Sequence, residues 1–263
     1  MIDVHPPHQS VSSWREFLIH IATIVVGLLI AIGLEQCVEL LHQHHEVRET
    51  REALRLEGEA NRNRIILETN FWRRGTAALE NNLLVLRYLQ QHPGTPQDKL
   101  PGVLHWGTAN MVFAHAVWDS AQQTGVIKLL PREEATNDAF LYMEFDRIEE
   151  ASTAVHVAVD EAEEFDLVDP DPTHLSPAQL AEVISLTERA LTKQILHGEA
   201  LANLNSNFPD LPPTITHAEI DKLRGKIGKK TPDTLSAAEA ITNARLDAGA
   251  PAQDFTNSPV HKK

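Results

Sequence analysis

Phe17–Leu34 reads FLIHIATIVVGLLIAIGL, 18 residues without a formal charge, bounded by Trp14-Arg15-Glu16 and by Glu35. As a helix rising 1.5 Å per residue it is about 27 Å long, close to the roughly 30 Å hydrocarbon core of a bilayer. Three readings compete. A cleaved secretory signal has a basic start, a short apolar core and a small-x-small site, which Ala31-Ile32-Gly33 could supply. The run is long for that, and its leader mixes one Arg with one Asp and one Glu. A lipoprotein signal ending at Cys37 is disfavoured by the large polar pair Glu35-Gln36 before the cysteine. A buried helix of a soluble core is the third. Length and flanks favour an uncleaved transmembrane anchor, with Trp14 and Arg15 at the membrane interface.

Positive charge within about 15–20 residues of a span favours the cytoplasmic side. Arg15 precedes the run directly, whereas the next basic residue is Arg48, after Glu35, Glu39 and Glu46. The expected topology is single-pass in a cell inner membrane, N-terminus inside and the bulk of the chain in the periplasm.

The formal charge of -14 argues against a nucleic-acid partner, because phosphate recognition needs a basic footprint. Between Arg132 and His174 stand 14 acidic residues, opposed by Arg132 and Arg147 alone. Such a face keeps a protein soluble, and it suits a basic partner. One cysteine, Cys37, excludes an internal disulfide and a cysteine-based zinc site within one chain. Its place just past the span would allow a cross-link between two copies.

The pattern is helical throughout, so the expected fold is all-α. No proline interrupts the chain from the anchor to His92, which predicts a transmembrane helix continuing into one long helix. Ile65, Trp72, Leu79 and Leu86 recur at sevenfold spacing with Leu83 on the same face, marking where that helix begins to pack. His92-Pro93-Gly94-Thr95-Pro96 is a loop, and a shorter helix is expected over 110–124, stopped by Gly125. Pro131-Arg132-Glu133-Glu134 starts the next helix, which runs to about Phe165 with Leu141, Ile148, Val155 and Ala162 in one row and Ala151, Ala158 and Phe165 beside it. After Asp169-Pro170-Asp171-Pro172, Ser176 caps a helix that buries Leu180, Ile184, Leu191 and Ile195. A short helix over 217–227 follows. Long amphipathic helices joined by proline-rich loops make an antiparallel bundle. The organisation is then an N-terminal segment (1–16), the anchor (17–34), a juxtamembrane helical stalk (35–64), a helical bundle domain (65–228) and a disordered tail (229–263), the last from its small, polar composition.

The sharpest chemical cluster follows the membrane. Glu39, His42, His45, Glu46 and Glu49 fall at three- and four-residue spacing, one side of a helix. Glu39-x-x-His42 has the spacing of carboxylate-bridged metal proteins, which need a second copy from another helix. Glu39, His42, His45 and Glu46 are therefore weak metal candidates, and a polar helix face is preferred. Thr23, Gly27 and Ala31 form a small-x-x-x-small row, a dimerisation face for a homodimer in the bilayer. Asp166, Asp169 and Asp171 lack the turn glycine and terminal Glu of a calcium loop. No Gly-rich phosphate loop, G-x-S-x-G elbow or H-E-x-x-H pair occurs, and no cofactor is indicated.

Trp118-Asp119-Ser120-Ala121-Gln122-Gln123-Thr124-Gly125-Val126-Ile127-Lys128-Leu129-Leu130, with Trp14-Arg15-Glu16-Phe17 and Gly33-Leu34-Glu35-Gln36, resembles a loose group of uncharacterised bacterial single-pass membrane proteins. The likeness spans about 14–130 and rests on short motifs. It implies an N-terminal anchor and a helical domain, with no activity attached. In physical terms Trp118 suits a core and Gly125 a left-handed helix stop. The expected function is a non-enzymatic, membrane-anchored interaction or scaffold protein with an unknown protein partner. The alternative is an envelope sensory domain that binds a small molecule or metal and signals through a partner.

Overall fold

The computed structural model describes residues 14–226, and the tail expected over 229–263 lies outside them. The fold is all-α, with no strand among the described residues. Five helices follow one another: α1 (Trp14–Gln91), α2 (Ala116–Thr124), α3 (Arg132–Val168), α4 (Pro177–Asn207) and α5 (His217–Arg224). They divide into two compact units, Met1–Arg55 with Ala116–Ala135, and Leu56–His115 with Thr136–Lys263.

In the first unit, α1 carries the apolar run with every large hydrophobic side chain from Phe17 to Leu34 exposed. This stretch is long and apolar enough to cross a membrane, and none of it is buried. A soluble-core helix would hide such residues, so that third reading fails. Trp14 stacks on Phe17 with ring centroids 5.5 Å apart. Thr23 donates its hydroxyl to the Ile19 carbonyl at 2.9 Å, the usual way a threonine is satisfied inside a helix. Cys37 is exposed. Gly125 ends α2 at φ +81°, the left-handed region where glycine has no Cβ to clash, and Trp118 is buried, both as expected. Arg51 grips Glu134 through two bonds of 2.8 and 2.7 Å, which hold the Glu134 carboxyl below its ordinary range.

The second unit contains a continuous apolar core. Ile65, Trp72, Leu79, Leu83 and Leu86 of α1 are all buried, as their spacing predicts. From α3 come Ile148, Val155, Ala158 and Ala162, joined by Tyr142, Phe145 and Val159, while Leu141, Ala151 and Phe165 are only half-buried. Leu180, Ile184, Leu191 and Ile195 of α4 are buried. Ser176 and Gln179 close a capping box at the start of α4, and Thr216 and Glu219 do the same for α5.

Direction follows from the cross-helix bonds. Glu57 meets Tyr142 and Glu68 meets Ser152, so α1 and α3 run the same way. Arg87 meets Glu188, while Trp72 meets Gln194, so α4 runs against α1. Asn207 with Glu144 and Arg189 with Glu161 set α4 against α3 as well. Two parallel helices need a return path between them. That path is 103–115, which the sequence reading made partly helical; α2 begins only at Ala116.

Candidate functional site

The return segment is sewn to α1 by side chains at sevenfold spacing. Asn82 donates to the His105 carbonyl at 2.8 Å and accepts from the His105 N–H at 2.7 Å. Glu68 Oε2 accepts from the Met111 N–H at 2.7 Å. Asn61 donates to the Ala114 carbonyl at 2.9 Å and accepts from the Ala114 N–H at 2.7 Å. Seven helical residues cover about 10.5 Å, and three extended residues cover about 10 Å. Helix positions 82, 68 and 61 thus match segment positions 105, 111 and 114, and the segment must be extended and antiparallel to α1. Its backbone would otherwise lie against a helix with no ladder to satisfy it.

One rung is missing. The register puts residue 75 opposite residue 108, and residue 75 is glycine, with no side chain to reach across. At that level a cavity of about 260 Å³ opens, lined by Gly75 of α1 and by Gly107, Thr108 and Ala109 of the segment. Phe71, Trp72 and Arg74 continue the α1 wall. Ser152, Val155 and His156 come from α3, Gln194 and His197 from α4. No hydrogen bond reaches the backbone of Gly107 or Ala109 among the described residues.

Two networks hold these walls. Trp72 Nε1 donates to the Gln194 carbonyl at 2.8 Å, while Gln194 Nε2 donates to the Trp72 carbonyl at 2.8 Å and to Thr76 Oγ1 at 3.1 Å. Gly198 lets the Trp72 ring lie close, since a Cβ there would stand 3.0 Å from the indole and 2.8 Å from Ile215 Cδ1. Behind the cavity, Glu68 is 0% exposed and is held from three sides. Its Oε1 accepts from Ser152 Oγ at 2.7 Å and faces His197 Nε2 at 3.0 Å. The His197 contact is close but off the hydrogen-bond axis, so the two groups face each other without a directed bond. Ser152 donates its hydroxyl hydrogen bond to the Glu68 carboxyl, not to an imidazole. That order differs from nucleophile, base and acid in a catalytic triad, and it suits a buried structural network. Thr108 Oγ1 and His156 Nδ1 are hydrogen-bond partners at the cavity's edge.

The residues singled out in the sequence lie elsewhere. Glu39 accepts from Gln43 at 2.7 Å, and His45 Nε2 stands 3.1 Å from Glu49. His42 and Glu46 lie on the same helix. No three His, Cys, Asp or Glu side chains converge in a metal-holding group among the described residues. Thr23, Gly27 and Ala31 share an exposed row of α1. The aspartates at 169 and 171 form a turn: Asp169 Oδ1 accepts from the Asp171 N–H at 3.0 Å, Asp171 caps Thr173, and His174 Nδ1 meets Asp169 Oδ2 at 2.8 Å. Sequence reasoning missed the cavity. Its signal was Asn61, Glu68, Gly75 and Asn82, a row at sevenfold spacing whose last three members stand three residues after Ile65, Trp72 and Leu79.

No family model matches this chain, and neither a curated protein nor a solved structure matches it.

Proposed function

We propose that this chain is a membrane-anchored helical sensory domain that binds a small molecule and signals through a partner. The observation carrying the reading is the cavity at the empty rung, where a ladder that is otherwise satisfied leaves backbone and polar side chains around open space. Binding pockets are typically concave, mostly apolar and furnished with a few placed polar groups. α1 is unbroken from the apolar run to Phe71–Gly75 on the cavity wall, so ligand contacts and anchor belong to one helix. The anchor reading rests on the length and exposure of Phe17–Leu34, and the inner-membrane, periplasmic placement in a bacterium rests on Arg15. Thr23, Gly27 and Ala31 are the proposed homodimer face.

A second reading, an interaction or scaffold module, is favoured by the exposed acids of α3, among them Asp146, Glu150, Asp160 and Glu161, which suit a basic protein partner. A thermal-shift screen of the full-length protein in mild detergent, against metals, amino acids and organic acids, separates the two. A ligand at 100 times its Kd adds about 2.7 kcal/mol. Saturable stabilisation supports the sensory reading, whereas a flat response across the screen leaves the scaffold. Topology is tested with alkaline phosphatase and a cytoplasm-only fluorescent reporter fused after Lys226. Active phosphatase with a dark fluorophore is expected.

A further inference from the structure

The cavity's charge is opposite to that of the chain. The protein carries a formal charge of -14, yet no Asp or Glu lines the cavity, and its one formally charged lining residue is Arg74. Arg74 stands apart from its neighbours in a second way. In this unit the other arginines are engaged: Arg73 by Glu219, Arg87 by Glu188, Arg147 by Glu144, Arg189 by Glu161, and Arg62 and Arg64 by polar oxygens. Arg224 pairs with Glu199 and Asp221. Among the described residues Arg74 is the one arginine here with neither a hydrogen bond nor an ion pair. A planar guanidinium with five donors and no acceptor at a cavity mouth is built for a carboxylate. The apolar part of the lining comes from Phe71 and Trp72 on α1 and from Val155 on α3. At about 260 Å³ the space falls just below the roughly 300–1,000 Å³ of drug-sized ligand pockets.

We infer that the cavity at Gly75 binds a small organic monocarboxylate, its carboxylate on Arg74 and its apolar body against Phe71, Trp72 and Val155. The unbonded backbone at Gly107 and Ala109 supplies further polar contacts to the same ligand. This assignment rests on the sensory reading and narrows it to one class. The buried Glu68 does not oppose it, because Met111, Ser152 and His197 already surround that carboxylate.

The experiment is a titration of the full-length protein in mild detergent with acetate, butyrate, benzoate and 3-phenylpropionate, each against its neutral amide, followed by tryptophan fluorescence and calorimetry. The expected result is saturable binding of the acids carrying a larger apolar body, with the matched amides at least tenfold weaker. Arg74→Ala removes an exposed side chain without a partner, so it should leave the melting temperature unchanged and weaken the acid at least tenfold, with Arg74→Lys in between. Gly75→Leu, which fills the cavity, should abolish binding. Acid binding unchanged by Arg74→Ala overturns the proposal, as does a carboxylate series with no saturable binding. In the latter case, stabilisation by any neutral molecule or cation in the broader screen keeps the sensory reading while the carboxylate class falls. Silence in both experiments removes both.

Discussion

Two stretches of α1 invert each other. Over Phe17–Leu34 the helix is apolar and its large side chains are all exposed; over Glu57–Leu89 it buries Glu57, Asn61, Glu68, Asn81 and Asn82 beside its leucines. Both are regular helix in the same element. Burial is therefore set by what a side chain can face. The apolar stretch has no neighbour among the described residues to cover it, and a polar side chain can be buried wherever a neighbouring backbone needs a hydrogen bond.

Several changes would break or sharpen this contrast. Glu68→Ala is expected to have the largest effect, because it orphans the Met111 N–H and the Ser152 hydroxyl and removes the carboxyl that faces His197. A loss of about 2–6 kcal/mol, from two buried donors left unsatisfied at about 1–3 kcal/mol each, should appear in urea unfolding of the full chain in detergent. Next, Leu86→Ala in the buried stretch should cost about 2–5 kcal/mol, whereas Leu28→Ala in the exposed stretch should leave the urea midpoint within error. Equal effects at the two sites would collapse the comparison. Asn82→Ala removes the reciprocal pair with His105 and leaves a part-buried N–H and C=O, so about 1–3 kcal/mol should be lost. Hydrogen exchange should then rise first at His105, since the rung rather than the helix is broken.

The smallest effect lies at the turn after α3. His174 is raised above its ordinary 6.5 by its hydrogen bond to Asp169, helped by the charges of Asp169 and Asp171. Asp169 is lowered from 3.8 by the Asp171 backbone N–H and then by His174. The histidine's contribution is complete below 6.5 and fades as pH rises through its raised pKa. The aspartate's contribution is complete above 3.8 and fades as pH falls through its lowered pKa. The clasp is thus whole between those limits. In an NMR titration, Asp169→Asn should bring the His174 midpoint down towards 6.5 while the unfolding midpoint barely moves, as the groups are solvent-exposed.

Much of this was legible in the chain. Helical class, the long first helix, the Gly125 stop, the Ser176 cap and the buried rows of α1 and α4 follow from periodicity and local capping chemistry, which act within a few residues. The long apolar helix surface over 17–34 was readable because eighteen uncharged residues need no tertiary information to define it. The run 103–115 was not, because its ladder partners Asn61, Glu68 and Asn82 lie 23 to 53 residues away and belong to a helix. Gly75 becomes a gap only through its register opposite Thr108. Arg74 likewise stands out only once the acids that pair with the neighbouring arginines are located. Sequence alone determined which elements form, since their causes are local. Tertiary structure decided which backbone met which side chain, and so where one rung was left open, because that depends on groups brought together only by packing.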